Sequence, residues 1–220
     1  MWLSDVSPAE VIKVHWILER VEKVREMRLA SSKAATRAKA DTPTLFDEIK
    51  QPATDYVAIP VVSSENRRYI PMGYLSKDII AGNKLFVLEN AELYHFGILT
   101  SNVHMAWMRT VAGRLKSDYS YSNTIVYNNF PWPDATDSQK AEIEKLAQAV
   151  LDARAEYPDS TLADMYGETS MLFHTSLLTA HQRLDRAVMK LYGFNVKDTD
   201  EAACVAALME RYRELTEGSV

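Results

Sequence analysis

Two prolines alternate with two aromatic rings in the run Phe130-Pro131-Trp132-Pro133, and this knot constrains the fold more than any other feature of the chain. Proline fixes its own φ, lacks an amide donor and pushes the preceding residue into extended backbone, so neither a helix nor a central strand can run through it. The chain must therefore be built in two segments. After the knot the pattern is wholly helical: residues 139–157, 161–166, 176–192 and 200–215 repeat apolar side chains at helical spacing, with polar connections. Before it the pattern is mixed. Ser7-Pro8-Ala9-Glu10 has the composition of a helix start, and Val11, Val14, Ile17, Leu18, Val21, Val24 and Met27 form an apolar stripe predicting a long helix toward Ala40. Residues 41–55 read as a loop. Strands are expected over 56–62, where Pro60 marks an edge or bulge, over 67–75 and over 84–88, with Gly82-Asn83 as a turn signal. Residues 91–111 read as a buried helix broken near Ser101-Asn102 and closed by Gly113, and the polar and aromatic alternation of 114–127 predicts a hairpin. The expected fold class is α+β: a long connecting helix over 1–40, a small α/β domain with short mixed or antiparallel strands over 41–133, and a C-terminal helical bundle over 134–220.

Charge divides at the same place. The net charge of -5 argues at first against a nucleic-acid partner. By segment, however, residues 1–40 hold eight basic against five acidic side chains and residues 60–130 seven against five, whereas 134–220 hold nine against sixteen. The acidity belongs to the helical tail, and the central segment is left able to face phosphate. With 220 residues, 47% of them hydrophobic, the chain can fill a real core. A lone cysteine, Cys204, rules out a disulfide framework and any cysteine-rich zinc site, which fits a reducing compartment. The start lacks the basic and apolar regions of a signal peptide and no apolar run approaches the ~20 residues of a membrane span, so a soluble, cytoplasmic protein without a membrane partner is expected.

Two catalytic look-alikes fail on context. Asn129-Phe130-Pro131-Trp132 superficially matches the Asn/Asp-Pro-Pro-aromatic turn with which amino-methyltransferases hold a flipped base, but the first proline is missing and no Gly-rich strand-loop-helix precedes it in a chain with seven glycines. Asp41 with Glu48-Ile49-Lys50 mimics a nuclease metal site, yet both pieces fall in the expected loop rather than on adjacent rigid strands. His15, His95, His104, His174 and His181 are scattered without ligand spacing, and His181 reads as a packing residue. No catalytic residue and no metal ligand is assigned.

Four ordered runs carry a family signal: 63–74 (SSENRRYIPMGY), 101–109 (SNVHMAWMR), 113–122 (GRLKSDYSYS) and 127–133 (YNNFPWP). Together they resemble the C-terminal part of MmeI-like (type IIG/IIL) restriction-modification enzymes, and the likeness covers almost the whole chain. The resemblance implies a DNA target-recognition domain followed by a helical region. It also implies a parent that joins these to an adenine-N6 methyltransferase using S-adenosylmethionine, and to a nuclease that would need magnesium, with no cofactor in this chain. Double-stranded DNA and the parent's methyltransferase domain are the expected partners.

Reading duplex DNA needs phosphate contacts that fix register and side chains that reach base edges. Arg67, Arg68, Arg109 and Arg114 are long donors beside aromatic residues, and Ser63, Ser64, Asn66, Ser122 and Asn123 are short hydrogen bonders suited to phosphate oxygens. Arg67 or Arg114 could equally pair with Glu65, Glu89 or Asp118. In an extended strand Lys116, Asp118 and Ser120 would share one face, and the family's recognition residues lie in this polar segment. These three are therefore the expected base readers, against the alternative of a solvated ion pair. Tyr74, Tyr94 and Trp107 read as packing. A rival function class stays open, in which the acidic, amphipathic tail makes the chain a helical protein-interaction module of a larger multidomain protein.

Overall fold

The computed structural model describes residues 1–217 and divides them into two compact units, Met1–Gln51 and a second running from Pro52. The last three residues of the expected helical region, 218–220, lie outside the described residues.

In the first unit, helix α1 (Pro8–Lys13) opens with a complete capping box: the Ser7 hydroxyl accepts from the Glu10 amide, and the Glu10 carboxylate accepts from the Ser7 amide at 3.1 Å. The single long helix expected from the stripe does not form. Val14 takes extended backbone, φ -111° and ψ 93°, and α2 (His15–Leu29), α3 (Ala34–Ala38) and a 3-10 turn (Lys39–Asp41) follow. The break has a packing reason. In one continuous helix Val11 and Val21 would sit about 15 Å apart along the axis and on different sides, whereas here they share one small cluster with Leu3. Beyond Leu29 the chain offers little to bury, and Arg28 holds it instead. Its guanidinium donates to the carbonyls of Lys39 and Thr42, both at 2.8 Å, and of Leu45 at 2.7 Å.

The second unit begins with two three-stranded antiparallel sheets that share one run of backbone. Strand β1 (Tyr56–Pro60) is central in the first, between β3 (Gly73–Leu75) and β4 (Leu85–Leu88); β2 (Val62–Ser63) belongs to the second, in the order β2, β6 (Asp118–Ser120), β5 (Gly113–Leu115). Val61 is the transfer point, donating to Lys84 just before β4 of one sheet and accepting from Tyr121 beside the other. Pro60 pairs only with Leu85, past the end of the β3 ladder, so its missing amide costs no bond there. Only the end of the expected 67–75 strand forms. Tyr69 and Ile70, adjacent in sequence, are both buried, which a pleated strand with alternating faces cannot achieve.

Helices α4 (Leu93–Leu99) and α5 (Asn102–Val111) separate where expected, and the Ser101 side chain caps α5. Gly113, expected to cap α5, opens β5; Ala112 is the cap. The tail folds as α6 (Asp137–Ala155), α7 (Leu162–Met165), α8 (Thr175–Leu191) and α9 (Glu201–Glu217), a helical layer on the same core. Gly97 sets the α4–α6 approach, since a Cβ there would lie 2.7 Å from an Ile143 methyl carbon. The proline knot is gripped from the tail. Phe130 is buried, the Pro131 carbonyl accepts from the Tyr192 hydroxyl at 3.1 Å, and the Trp132 carbonyl accepts from Arg211.

Candidate nucleic-acid interface

The hairpin β5–β6 projects an exposed edge: all three residues of β5 face solvent, and a two-residue turn, Lys116-Ser117, joins it to β6. Lys116 has a left-handed φ of 58°. A tight hairpin turn of this kind favours glycine there, and another residue costs about 1 kcal/mol. The expectation that Lys116, Asp118 and Ser120 share one strand face needs correction. Lys116 stands in the turn, while Asp118 and Ser120 do share a face of β6, both half-buried, with Tyr119 buried on the other side.

Arg114 braces the tip. Its guanidinium donates to the Ser117 carbonyl at 2.8 Å, lies 3.8 Å from the Glu65 carboxylate and covers the Tyr119 ring at 3.9 Å. The Asp118 carboxylate accepts from the Glu65 amide at 3.4 Å, so the segment leaving β2 is tied to the hairpin through Glu65 from both sides. Within that segment the Ser64 hydroxyl accepts from the Asn66 amide at 3.4 Å, whereas the Ser63 hydroxyl is buried with no hydrogen-bond partner among the described residues. Ser122 and Asn123 fold a π-helical turn (Asn123–Tyr127): the Ser122 hydroxyl accepts from the Ile125 amide and the Asn123 side chain from the Thr124 amide. Trp107, buried as expected, donates to the Val126 carbonyl beneath that turn at 2.9 Å.

The remaining arginines gather elsewhere. Arg68 and Arg109 line a cavity of about 400 Å³ together with Asn102, Asp200, Glu201 and Cys204. Arg68 is exposed, its guanidinium 5.6 Å over the Tyr69 ring. Arg109 is committed inside the fold, donating to the Arg68 carbonyl at 2.8 Å and pairing with Glu201 at 3.0 Å. Arg67 is half-buried, and its Nε has no partner among the described residues.

Beneath this surface runs a buried polar chain that sequence reasoning did not find. Arg154 donates to the Met72 carbonyl at 2.8 Å and, from two nitrogens, to the Tyr166 hydroxyl at 2.9 and 2.6 Å. A phenol that accepts twice must donate its own proton elsewhere, so Tyr166 donates to His181 Nε2 at 2.6 Å and His181 carries its proton on Nδ1. Burial drives the His181 pKa well below 6.5, and the nearby Arg154 and Arg68 add to the effect. His181 stacks on Tyr69 at 4.2 Å, and the Tyr69 hydroxyl donates to Asp185 at 2.6 Å. Asp185 also accepts from the Asn102 amide at the start of α5, at 2.8 Å. Burial raises Asp185 to about 6, although Tyr69, Asn102, Arg68 and Arg186 all pull it down. A signal was present: Arg154 and Asp185 each interrupt an apolar stripe, following Ile143, Ala147 and Val150 in α6 and Leu177, Ala180 and Leu184 in α8.

Comparison with known proteins places this geometry. Residues 1–134 match the family "MmeI, target recognition domain" and residues 135–220 match "MmeI, C-terminal domain". The chain belongs to the MmeI family. It is 37% identical over 217 residues to DNA methyltransferase A of Bacillus subtilis (strain 168), covering 99% of this chain and 24% of that protein. The solved structure of the type IIL restriction-modification enzyme MmeI in complex with DNA is 43% identical and superposes with a TM-score of 0.86, covering 98% of this chain and 28% of that one. The chain thus spans about a quarter of the length of these relatives. The resemblance carried by the four motif runs is borne out, as is the α+β class. Among the described residues no cluster of three or more His, Cys, Asp or Glu is placed to hold a metal, and no helix is long and apolar enough to cross a membrane.

Proposed function

We propose that the chain is the sequence-reading module of a larger cytoplasmic restriction-modification DNA methyltransferase, acting on adenine N6, and that it performs no chemistry itself. Lys116 carries the reading: a lysine held in a strained left-handed turn at an exposed hairpin tip, two residues before a carboxylate at the start of β6. Lysine donates to guanine O6 and N7, and a carboxylate accepts from the cytosine amino group, so Lys116 and Asp118 suit one G·C pair in the major groove. Ser120 extends the same strand face. Arg114 at the reader, with Arg67, Arg68, Ser122 and Asn123 away from the tip, would supply phosphate contacts, which position without specifying. Arg109 works indirectly, through the Arg68 carbonyl that it holds.

The residues present do not fit S-adenosylmethionine. The corner Asn129-Phe130-Pro131-Trp132 is a packing element, with Phe130 in the core and the Asn129 side chain donating to the Thr124 carbonyl at 3.2 Å. That cofactor belongs with the methyltransferase domain of the parent polypeptide, and magnesium with any nuclease the parent carries. The test is a swap. Lys116→Glu with Asp118→Arg reverses donor and acceptor, and methylation mapping of the full-length enzyme on a random-sequence library should shift one preferred base from G to C. Preference unchanged at every position, with activity retained, would leave the surface ion-pair reading. A rival reading, a protein-docking module, is favoured by the exposed Leu172 and Phe173, the latter 82% exposed. Failure of the chain to bind any duplex at low salt would select it.

A further inference from the structure

Residues 64–72 leave the second sheet at β2 and enter the first at β3 with almost no backbone pairing of their own. Three helices of the tail hold them. Arg154 of α6 takes the Met72 carbonyl, Asp185 of α8 takes the Tyr69 hydroxyl, and Glu201 of α9 pairs with Arg109, which takes the Arg68 carbonyl. The holding points lie at positions 68, 69 and 72, just beyond the residues tied to the hairpin through Glu65. The Arg68 guanidinium lies 5.6 Å from the centre of the Tyr69 ring, and that ring stacks on His181.

We infer that the C-terminal helical region is the positioning scaffold of the DNA-facing surface, and that Tyr69, clamped by Asp185 and His181, is the residue that orients Arg68 toward the phosphate backbone. This rests on the reading of the chain as a DNA-binding module. The physical argument concerns entropy. A loop arginine searching freely loses several rotamers on meeting a phosphate, whereas one already laid along a fixed ring loses few, so the fixed ring raises affinity without touching DNA. The clamp is costly to build, because it buries one carboxylate and one guanidinium without pairing them to each other. A core needing only volume would have used apolar side chains there, since those are often as stabilising. The segment they grip carries two adjacent arginines, one exposed, two and three residues after Glu65, which is tied to the hairpin.

Tyr69→Phe removes one hydroxyl and keeps the ring, so the fold should survive while the tie to Asp185 is lost. Binding of the chain to a duplex at low salt, read by fluorescence anisotropy, should weaken about five- to tenfold, the net worth of an ordinary hydrogen bond. Hydrogen exchange at the amides of residues 64–70 should quicken in the unliganded chain. The deciding measurement is the double variant. If Tyr69 acts through Arg68, then Arg68→Ala weakens binding in the wild type but adds little in Tyr69→Phe, whereas a merely structural tyrosine gives additive losses. Additive losses overturn the inference, and so does unchanged exchange, or quickened exchange with unchanged affinity; in these cases a wild type that responds to salt and to Arg68→Ala leaves the DNA-binding reading standing. Binding indifferent to both salt and Arg68→Ala overturns that reading itself, and the inference with it.

Discussion

Arg28 and Arg154 occupy the same place in their helices, the last turn of α2 and of α6, where a cation meets the helix's negative end, and both are buried. Each gathers carbonyl or hydroxyl oxygens from a crossing segment, and their surroundings differ. Around Arg28 the first unit buries few apolar side chains, Leu3, Val11, Val21 and Ala40, while Ile12, Trp16, Met27 and Phe46 stay exposed. Around Arg154 lie a continuous core and the faces of two rings, Phe96 at 5.3 Å and Tyr166 at 4.9 Å. The same side chain is thus a staple for a nearly coreless unit in one place and a fixture inside a dense core in the other. What surrounds a buried charge decides what its loss costs.

The largest effect should come from Arg154→Met. It strands the Met72 carbonyl and the Tyr166 hydroxyl where water cannot replace the donor, so a loss of about 3 kcal/mol in urea denaturation is expected. A loss under about 1 kcal/mol would mean the site rehydrates, and the contrast with Arg28 would collapse.

The next effect tests the same density through protons. His104 is fully buried, its Nε2 3.0 Å from the Tyr121 hydroxyl, and burial lowers its pKa to about 3. A histidine held neutral in the folded state contributes stability above its unfolded pKa near 6.5, and this is lost as pH falls through that value. Between pH 6.5 and 5 the cost is about 2 kcal/mol. Asp185 has the opposite sign: raised to about 6, it favours the folded state as pH falls from 6 toward 3.8. His104→Phe should therefore become less acid-sensitive than the wild type, measured as the change in urea midpoint from pH 7 to 5. Equal sensitivity would show that His104 is not the neutral group responsible.

The sequence made some of this legible for reasons that can be stated. Helices α8 and α9 follow the expected 176–192 and 200–215 closely because a helical period over several turns is read locally. The proline knot was legible because proline's constraint is covalent. The course of residues 67–72 was not, since Tyr69 and Ile70 are placed by partners on α8 and α5 far along the chain. Lys116 illustrates the limit within a correct element. The hairpin was expected, but its turn lacks the glycine or asparagine that would have marked it, and the strand alternation was carried two residues back into the turn. Three residues, Arg28, Arg154 and Asp185, broke an apolar stripe visibly, and a charge on a buried face announces a partner without naming it.

A smaller effect belongs to the first unit. Arg28→Ala frees three carbonyls that water can reach once residues 39–47 peel away, so the expected cost is about 1–2 kcal/mol and local. Limited proteolysis should find new cleavage in 39–47 while the main unfolding transition stays in place. A shifted main transition would mean that the two units unfold as one.

The smallest effect sets the scale for exposure. Trp16 and Trp107 are the same residue in the two settings, 56% and 2% exposed. Trp107 sits in the core with its indole N–H bonded, and loss of such a ring typically costs 3–5 kcal/mol, by about the same accounting as any large buried side chain. Trp16 meets the Arg20 guanidinium at 5.9 Å, on a surface where such a contact is worth little. Trp16→Ala should change stability by less than about 0.5 kcal/mol, and alanine's better helix propensity offsets part of that. A measurable loss in the chain by itself would mean that the first unit buries this face in solution, most simply by self-association. In that case the loss would grow with protein concentration, and an undiminished effect on dilution would rule the explanation out.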